Sequence, residues 1–288
     1  MTTTYLTMLQ EEPGVFITTV SIFGLMVGSF LNVVIYRLPE MMRRNWSEQC
    51  AELRGEVVER QPAFNLISPR STCPKCGHKI SAWENIPIFS YLALRGRCSQ
   101  CHERIPLRYP LVEAVTALLS GVVAWHFGFG VMTAAVLIFV WALMALAVID
   151  LNTQLLPDDI TLPLLWLGLL INLNDVFTDS QSSIIGAAAG YLSLWSIYWS
   201  FKLLTGKEGM GYGDFKLLSA IGAWLGWSML PVVIVFSSFV GAVVGVGLIV
   251  AAKLHKNIPI PFGPYLVGGA LIALFWGEKL NQSYLGLL

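Results

Sequence analysis

Charge is scarce in this sequence. Lys, Arg, Asp and Glu make up 12% of its 288 residues, while apolar residues make up 55%. A soluble domain carries about 25% charged residues, so an ordinary soluble fold is excluded. Charge of one sign is lacking too: 18 basic residues balance 18 acidic ones. No global field draws the chain to nucleic acid, and nucleic acid is not expected as a partner. The first 14 residues contain no Lys or Arg, although they contain Glu11 and Glu12. A cleavable signal peptide opens on a basic segment, so none is expected. Nucleotide-binding signatures are missing as well. No Gly-Lys-Ser/Thr follows a glycine-rich turn, and GMGYGD (209–214) lacks the spacing and the preceding strand of a dinucleotide fingerprint.

What the chain has in abundance is apolar length. A bilayer core of about 30 Å takes about 20 apolar residues as helix. Runs with little or no charge cover 13–36, 111–149, 160–174, 180–201, 217–252 and 257–277. The 111–149 run is long enough for two helices, broken near Phe127-Gly128-Phe129-Gly130. The 217–252 run breaks at Ser228-Met229-Leu230-Pro231. The expected fold is therefore an all-α polytopic membrane protein with about eight transmembrane helices, its partner on all sides a lipid bilayer. The 160–174 span and the first half of the 217–252 run are short and rely on polar cytosolic ends.

Arg37, Arg43 and Arg44 follow the first span. Basic loops stay in the cytoplasm, which puts the N-terminal tail outside and residues 38–110 inside. On this alternation 17 of the 18 Lys and Arg are cytosolic, Lys279 being the exception. The count includes Lys202, Lys207, Lys216, Lys253 and Lys256. The chain divides into a tail and first helix (1–37), a cytosolic loop domain (38–110) and a membrane domain (111–288).

The loop holds CPKC (Cys73 to Cys76) and CSQC (Cys98 to Cys101). Two C-x-x-C pairs at this spacing suit a four-thiolate zinc knuckle, with Cys73, Cys76, Cys98 and Cys101 as ligands. Gly77 and Gly96 suit the turns. A reducing cytosol disfavours disulfides; redox cysteines are the rival reading. His78 and His102 could substitute as ligands, but four sulfurs already close a tetrahedron, and a closed site is structural. Cys50 has no partner at useful spacing.

Two aspartates then stand out. Asp150 ends the third span and Asp214 opens the sixth. Counting spans places both on the cytosolic face at similar depth. A carboxylate inside a bilayer costs about 2.5–3.5 kcal/mol to insert and usually marks a site. Two held close share one proton, the arrangement aspartic proteolysis needs. Asp214 sits at a helix N-terminus, where the dipole favours an anion; Asp150 sits at a C-terminus, where it does not. Gly209, Gly211 and Gly213 have no side chains, so a substrate backbone can approach, with Gly211 and Gly213 as candidate substrate contacts. Asp158 and Asp159, after Pro157, read as caps of the fourth span, and Asp175 and Asp179 as an outer solvated loop. The rival readings are a proton-coupled transporter that uses the Asp pair and a membrane scaffold whose zinc loop binds a partner. The first suits midplane acids between structural repeats, and no repeat is visible. The second leaves the pair idle.

GSFLNVVIYRLP (28–39), CPKC, CSQC, IDLNTQLLPD (149–158) and GMGYGDFKL (209–217) together resemble the type IV prepilin peptidases among the GxGD membrane aspartyl proteases. The resemblance spans nearly the whole chain. It implies that Asp150 and Asp214 are the catalytic pair. It implies removal of a short basic leader after a glycine at the cytosolic face of a bacterial inner membrane. It further implies N-methylation of the newly exposed residue, usually phenylalanine, with S-adenosylmethionine as donor. Substrates would be type IV prepilins and the related pseudopilin precursors of type II secretion. Gly96, in RGRC, matches a position tied to methyl transfer, and the cysteine loop is the expected seat of that activity.

Overall fold

The computed structural model describes residues 2–56, 62–252 and 260–285. Lys253, Lys256 and His255 lie outside them, as do residues 57–60 and the expected start of the last span at 257. The described residues contain helices and no strands. They are α1 (Thr2–Glu11), α2 (Pro13–Leu53), α3 (Phe89–Ala93), α4 (Arg108–Phe127), α5 (Val131–Thr153), α6 (Asp158–Ile171), α7 (Ser180–Thr205), α8 (Tyr212–Leu225), α9 (Leu230–Ala252) and α10 (Gly263–Leu285). They form two compact units, Met1–Trp141 and Ala142–Leu288.

Among the described residues, five helical segments are long and apolar enough to cross a membrane: α2, α4, α5, α7 and one running from Trp227 through α9. The breaks expected near residue 128 and residue 228 are present. Gly128 and Gly226 both adopt positive φ, 68° and 82°, which glycine tolerates without strain. α6 and α8 have 14 residues each, about 21 Å of helix and short of a full crossing. The last span differs from expectation. Residues 260–262 are not helical, and α10 starts at Gly263 with Pro264 next. Proline suits a first helical turn, where its missing N–H has no bond to make.

In the first unit, α2 continues past the expected end of its span, through Pro39 and on to Leu53. It pairs with α4 through small residues. A Cβ on Gly28 would lie 2.8 Å from the Glu113 backbone, and one on Gly121 2.5 Å from Ser21 Oγ. Such small-residue seams let membrane helices approach closely. Trp141 donates its indole N–H to Ser120 at 2.9 Å.

In the second unit α8 is the core. Asp214, Phe215 and every residue from Leu217 to Leu225 are buried beneath α6, α7 and α10. Gly186 and Gly190 of α7 press onto the backbone of α8, where a Cβ on Gly190 would lie 2.5 Å from Leu218 O. The far end of α8 is locked by Asn172, fully buried, which donates to the carbonyls of Ala223 and Trp224 at 2.9 and 3.0 Å. Trp224 donates to Leu164 O at 2.7 Å. The burial that a short helix cannot obtain from lipid is supplied by its neighbours.

Candidate functional site

Asp214 is the third residue of α8. Its N–H donates to Gly211 O at 3.2 Å, and its Oδ2 accepts the Gly211 N–H at 3.3 Å. This reciprocal pair closes the helix start, with the carboxylate satisfying a donor that the helix leaves orphaned. Tyr198, Tyr212 and Phe215 brace the turn, their ring centroids 5.3 to 5.6 Å apart. Lys202 pairs with Glu208 at 2.9 Å across the glycine-rich connection.

The three glycines have different surroundings. A Cβ on Gly209 would meet the Phe201 ring at 3.0 Å, and one on Gly213 would lie 2.8 Å from Leu156 Cβ. At Gly211 the nearest atom would be Asp214 Oδ2 at 3.9 Å. Gly213 thus has a packing reason to lack a side chain, whereas Gly211 keeps open space beside the acid.

Asp150 lies in the last turn of α5 and is 5% exposed; Asp214 is 7% exposed. The two carboxylates are close enough for the charge of Asp150 to act on Asp214. The fold therefore brings together two acids 64 positions apart in sequence. Both aspartates keep the expected helix ends, Asp150 in the last turn of α5 and Asp214 in the first turn of α8. Asp150 Oδ2 accepts the backbone N–H of Gly263 at 2.9 Å, so the N-terminus of α10 faces an acid that its own helix leaves at a C-terminal end. Each carboxylate is held by a backbone donor at a helix start.

Gly263 is the residue that sequence reasoning missed. Its signal was present in IPFGP (260–264), a Pro-Phe-Gly-Pro break inside a run that hydropathy alone reads as continuous. A Cβ at Gly263 would lie 2.7 Å from Asp150 Oδ2. Gly263→Val should displace the carboxylate by a few tenths of an ångström or more. The cleavage that the resemblance implies should slow by about 100-fold, the scale of a misplaced reacting group, while the protein still extracts as a folded monodisperse species. An unchanged rate would show that the Gly263 contact is dispensable.

Asp158 and Asp159 occupy the first turn of α6 after its N-cap, Pro157, and neither caps it. Asp158 instead forms an ion pair with Lys216, both carboxylate oxygens within 2.8 Å. Asp179 caps α7 by accepting the Ser182 N–H at 2.9 Å.

In the first unit the four cysteines converge. The Sγ atoms of Cys73, Cys76, Cys98 and Cys101 all lie within 4.8 Å of one another, a set that could hold a metal ion. Cys73 and Cys101 are 3.7 Å apart, Cys76 and Cys98 4.0 Å. A disulfide would need about 2.05 Å. The two knuckles are built alike. Cys73 N donates to His78 O at 2.8 Å, and Cys98 N donates to Glu103 O at 2.9 Å. Thr72 bridges Lys79 as Arg97 bridges Arg104. Gly77 (φ 72°) and His102 (φ 56°) take the same left-handed place in each turn. The backbone N–H groups of Cys76 and Lys75 draw the Cys73 thiol down to about 6, while burial and the three neighbouring thiols push that of Cys101 up to about 12, so without an ion the four sulfurs do not all hold charge together. His78 is outside the cluster and pairs with Glu84 at 3.1 Å. Glu84 also accepts from Ser99 and from the Ser81 N–H; these bonds, Ser99 first, hold its carboxyl at about 2. Cys50 is exposed and unpaired with any other cysteine.

Gly96 sits in the turn before the second knuckle with φ 67°. A Cβ there would lie 2.7 Å from the Tyr91 hydroxyl. Its N–H donates to Tyr91 O, and its carbonyl accepts from Ile105 N, both at 2.8 Å.

Comparison with known proteins completes the picture. Residues 22–127 match the bacterial peptidase A24 N-terminal domain, and residues 137–246 match the type IV leader peptidase family. A prepilin leader peptidase/N-methyltransferase of Pseudomonas aeruginosa is 53% identical over 96% of both chains. The chain belongs to the type IV leader peptidase family. A member from Aeromonas hydrophila with the same name is 55% identical over 95% of both chains. One from Legionella pneumophila is 44% identical over 97% of this chain and 98% of its own. No solved structure gives a significant match. In the terms of this leader peptidase family, the second domain match contains both Asp150 and Asp214, and the first contains all four clustered cysteines.

Proposed function

We propose that this chain is a membrane aspartic endopeptidase that removes the leader of prepilin-type precursors and then N-methylates the residue so exposed. The observation that carries the reading is that Asp150 and Asp214 are both buried and lie within electrostatic reach of each other. The names of the relatives agree with it and lend nothing to a transporter.

The chemistry follows from the pair. The ionised carboxylate takes a proton from a water molecule, whose oxygen attacks the scissile carbonyl carbon. The protonated partner donates a hydrogen bond to the carbonyl oxygen, and a proton passes to the departing amine as the C–N bond breaks. Gly211 leaves room for an extended precursor backbone beside Asp214, and Gly213 lets the turn close on Leu156. Substrates are type IV prepilins and, on the same chemistry, pseudopilin precursors.

We assign the four-cysteine cluster to zinc. Zinc–sulfur bonds of about 2.3 Å give a tetrahedron with edges of about 3.8 Å, which the 3.7 and 4.0 Å separations fit. Four thiolates leave no position for water, so the ion would supply structure to residues 38–110. That loop is the seat we assign to methyl transfer, with S-adenosylmethionine as donor of the methyl group. Tyr91 covers the Cα of Gly96, so Gly96 would serve that step through the shape of its turn. Residues 111–288 then form the peptidase domain. The charge count supports placement in a bacterial inner membrane with the N-terminus outside and the loop cytosolic. Lipid packs the apolar spans.

The test is mass spectrometry of one prepilin-type precursor after incubation with the purified chain and S-adenosylmethionine, without nucleotide or an ion gradient. Loss of the leader and gain of one methyl group are expected. An intact precursor would contradict the reading.

A further inference from the structure

Apart from Thr116 and Ser120, which donate back to carbonyls of their own helix, three buried polar side chains of the α2–α4 pair serve neither the cysteine cluster nor the aspartates. Arg37 is 6% exposed, Glu113 8% and Asn32 9%. Arg37, which in sequence only marks topology, has no carboxylate against it among the described ion pairs. Its guanidinium donates to Asn65 O at 2.8 Å and Pro69 O at 2.6 Å, beside Phe64. Asn32 donates to Tyr109 O at 3.1 Å. Glu113, five residues into α4, accepts the N–H of Ile88 at 2.8 Å. The partners are backbone groups spread along residues 65–109, before, between and after the two knuckles.

The Ile88 contact is the unusual one. Ile88 has φ 61° and ψ −49°, a region that a β-branched residue avoids. It is the residue before α3, in the segment between the cysteine pairs. Strain of this kind persists only where surroundings over-determine it, and it clusters at functional positions. Two bonds hold it: the Phe89 N–H donates to Pro87 O at 2.6 Å, closing a tight turn about Ile88, and the buried Glu113 carboxylate accepts the Ile88 N–H. A carboxylate is costly to bury.

We propose that Glu113, with Arg37, is a positioning residue for methyl transfer: it indexes the cysteine loop to the α2–α4 pair by helping to hold Ile88 in its positive-φ turn. The inference rests on the loop being the seat of methyl transfer. Leader removal does not depend on it, because the aspartates are held by Gly211 and Gly263. Asn32 contributes a third tie at the end of the loop.

The test uses the full chain in detergent or nanodiscs, a prepilin-type precursor and S-adenosylmethionine. Leader loss and methyl gain are read in one reaction, with metal content measured on the same sample. Glu113→Ala should lower methylation at least about tenfold while leader removal and bound metal stay near wild type. Glu113→Gln, which keeps an acceptor for the Ile88 N–H, should restore most of it. Ile88→Gly in the Glu113→Ala background should also recover methylation, since glycine takes positive φ without a restraint. An unchanged ratio of methylation to cleavage in Glu113→Ala overturns the proposal. So does a parallel fall of both activities, which would mark a merely structural residue, or a failure of Ile88→Gly to rescue. A Cys76→Ser/Cys101→Ser variant separates the levels. If methylation survives that change, the loop is not its seat and the inference falls with that reading. If methylation is lost there but survives in Glu113→Ala, only the inference falls.

Discussion

Cys73→Ser combined with Cys98→Ser should abolish N-methylation and spare most leader removal. These are the two buried members of the cluster. The loop between α2 and α4 has little apolar core of its own: Ile67, Trp83, Phe89, Leu92 and Leu107 are all exposed. A segment so built depends on a staple, and binding of a structural metal contributes about 10–16 kcal/mol of apparent free energy in small metal-dependent domains. Serine cannot replace thiolate at such an ion. With two ligands gone the knuckle turns lose their anchor, and Gly96 and Ile88 lose their defined conformations. The expected fall in methylation is at least about 100-fold. The aspartate pair belongs to the other compact unit and takes its hydrogen bonds from that unit alone, so cleavage should fall far less. Dialysis of the wild-type protein against a strong chelator should reproduce the split, with one metal ion released per chain. Equal loss of both activities would show that the cysteine loop also sustains the peptidase.

The parts of this molecule that are local in sequence were legible there. Helix breaks near residues 128 and 228, the convergence of two C-x-x-C turns, and the placement of Asp150 and Asp214 at helix ends all follow from composition, spacing and counting of spans. What was not legible is who bonds to whom across long separations. Gly263 lies 113 positions from the carboxylate it supports, and hydropathy merges it into an apolar run. Arg37 carries a charge that the topology count explains fully, so nothing in the sequence signals its burial against carbonyls of residues 65 and 69. Glu113 is one acid in a long apolar stretch, and only the fold shows Ile88 above it. Asp158 and Asp159 follow a proline as caps do, yet Lys216 of another helix takes Asp158 into an ion pair. In each case a long-range partner decided the outcome where local propensity was neutral.

The central claim is that Asp150 and Asp214 act as one unit. Each is buried, each is held by a single backbone donor, and each is near the other. Asparagine is nearly the same size and can keep one oxygen on its glycine donor, so the fold should survive the change. What it cannot do is accept a proton from water or share one with its partner. Loss of either member should therefore cost as much as loss of both, because groups that act together are not additive. The decisive measurement is the single-turnover rate of leader removal from one prepilin-type precursor by purified Asp150→Asn, Asp214→Asn and the double variant, each confirmed to be folded and to bind precursor. The account predicts that all three fall by at least about 1,000-fold and to the same floor. Leader removal at near wild-type rate by either single variant would contradict it.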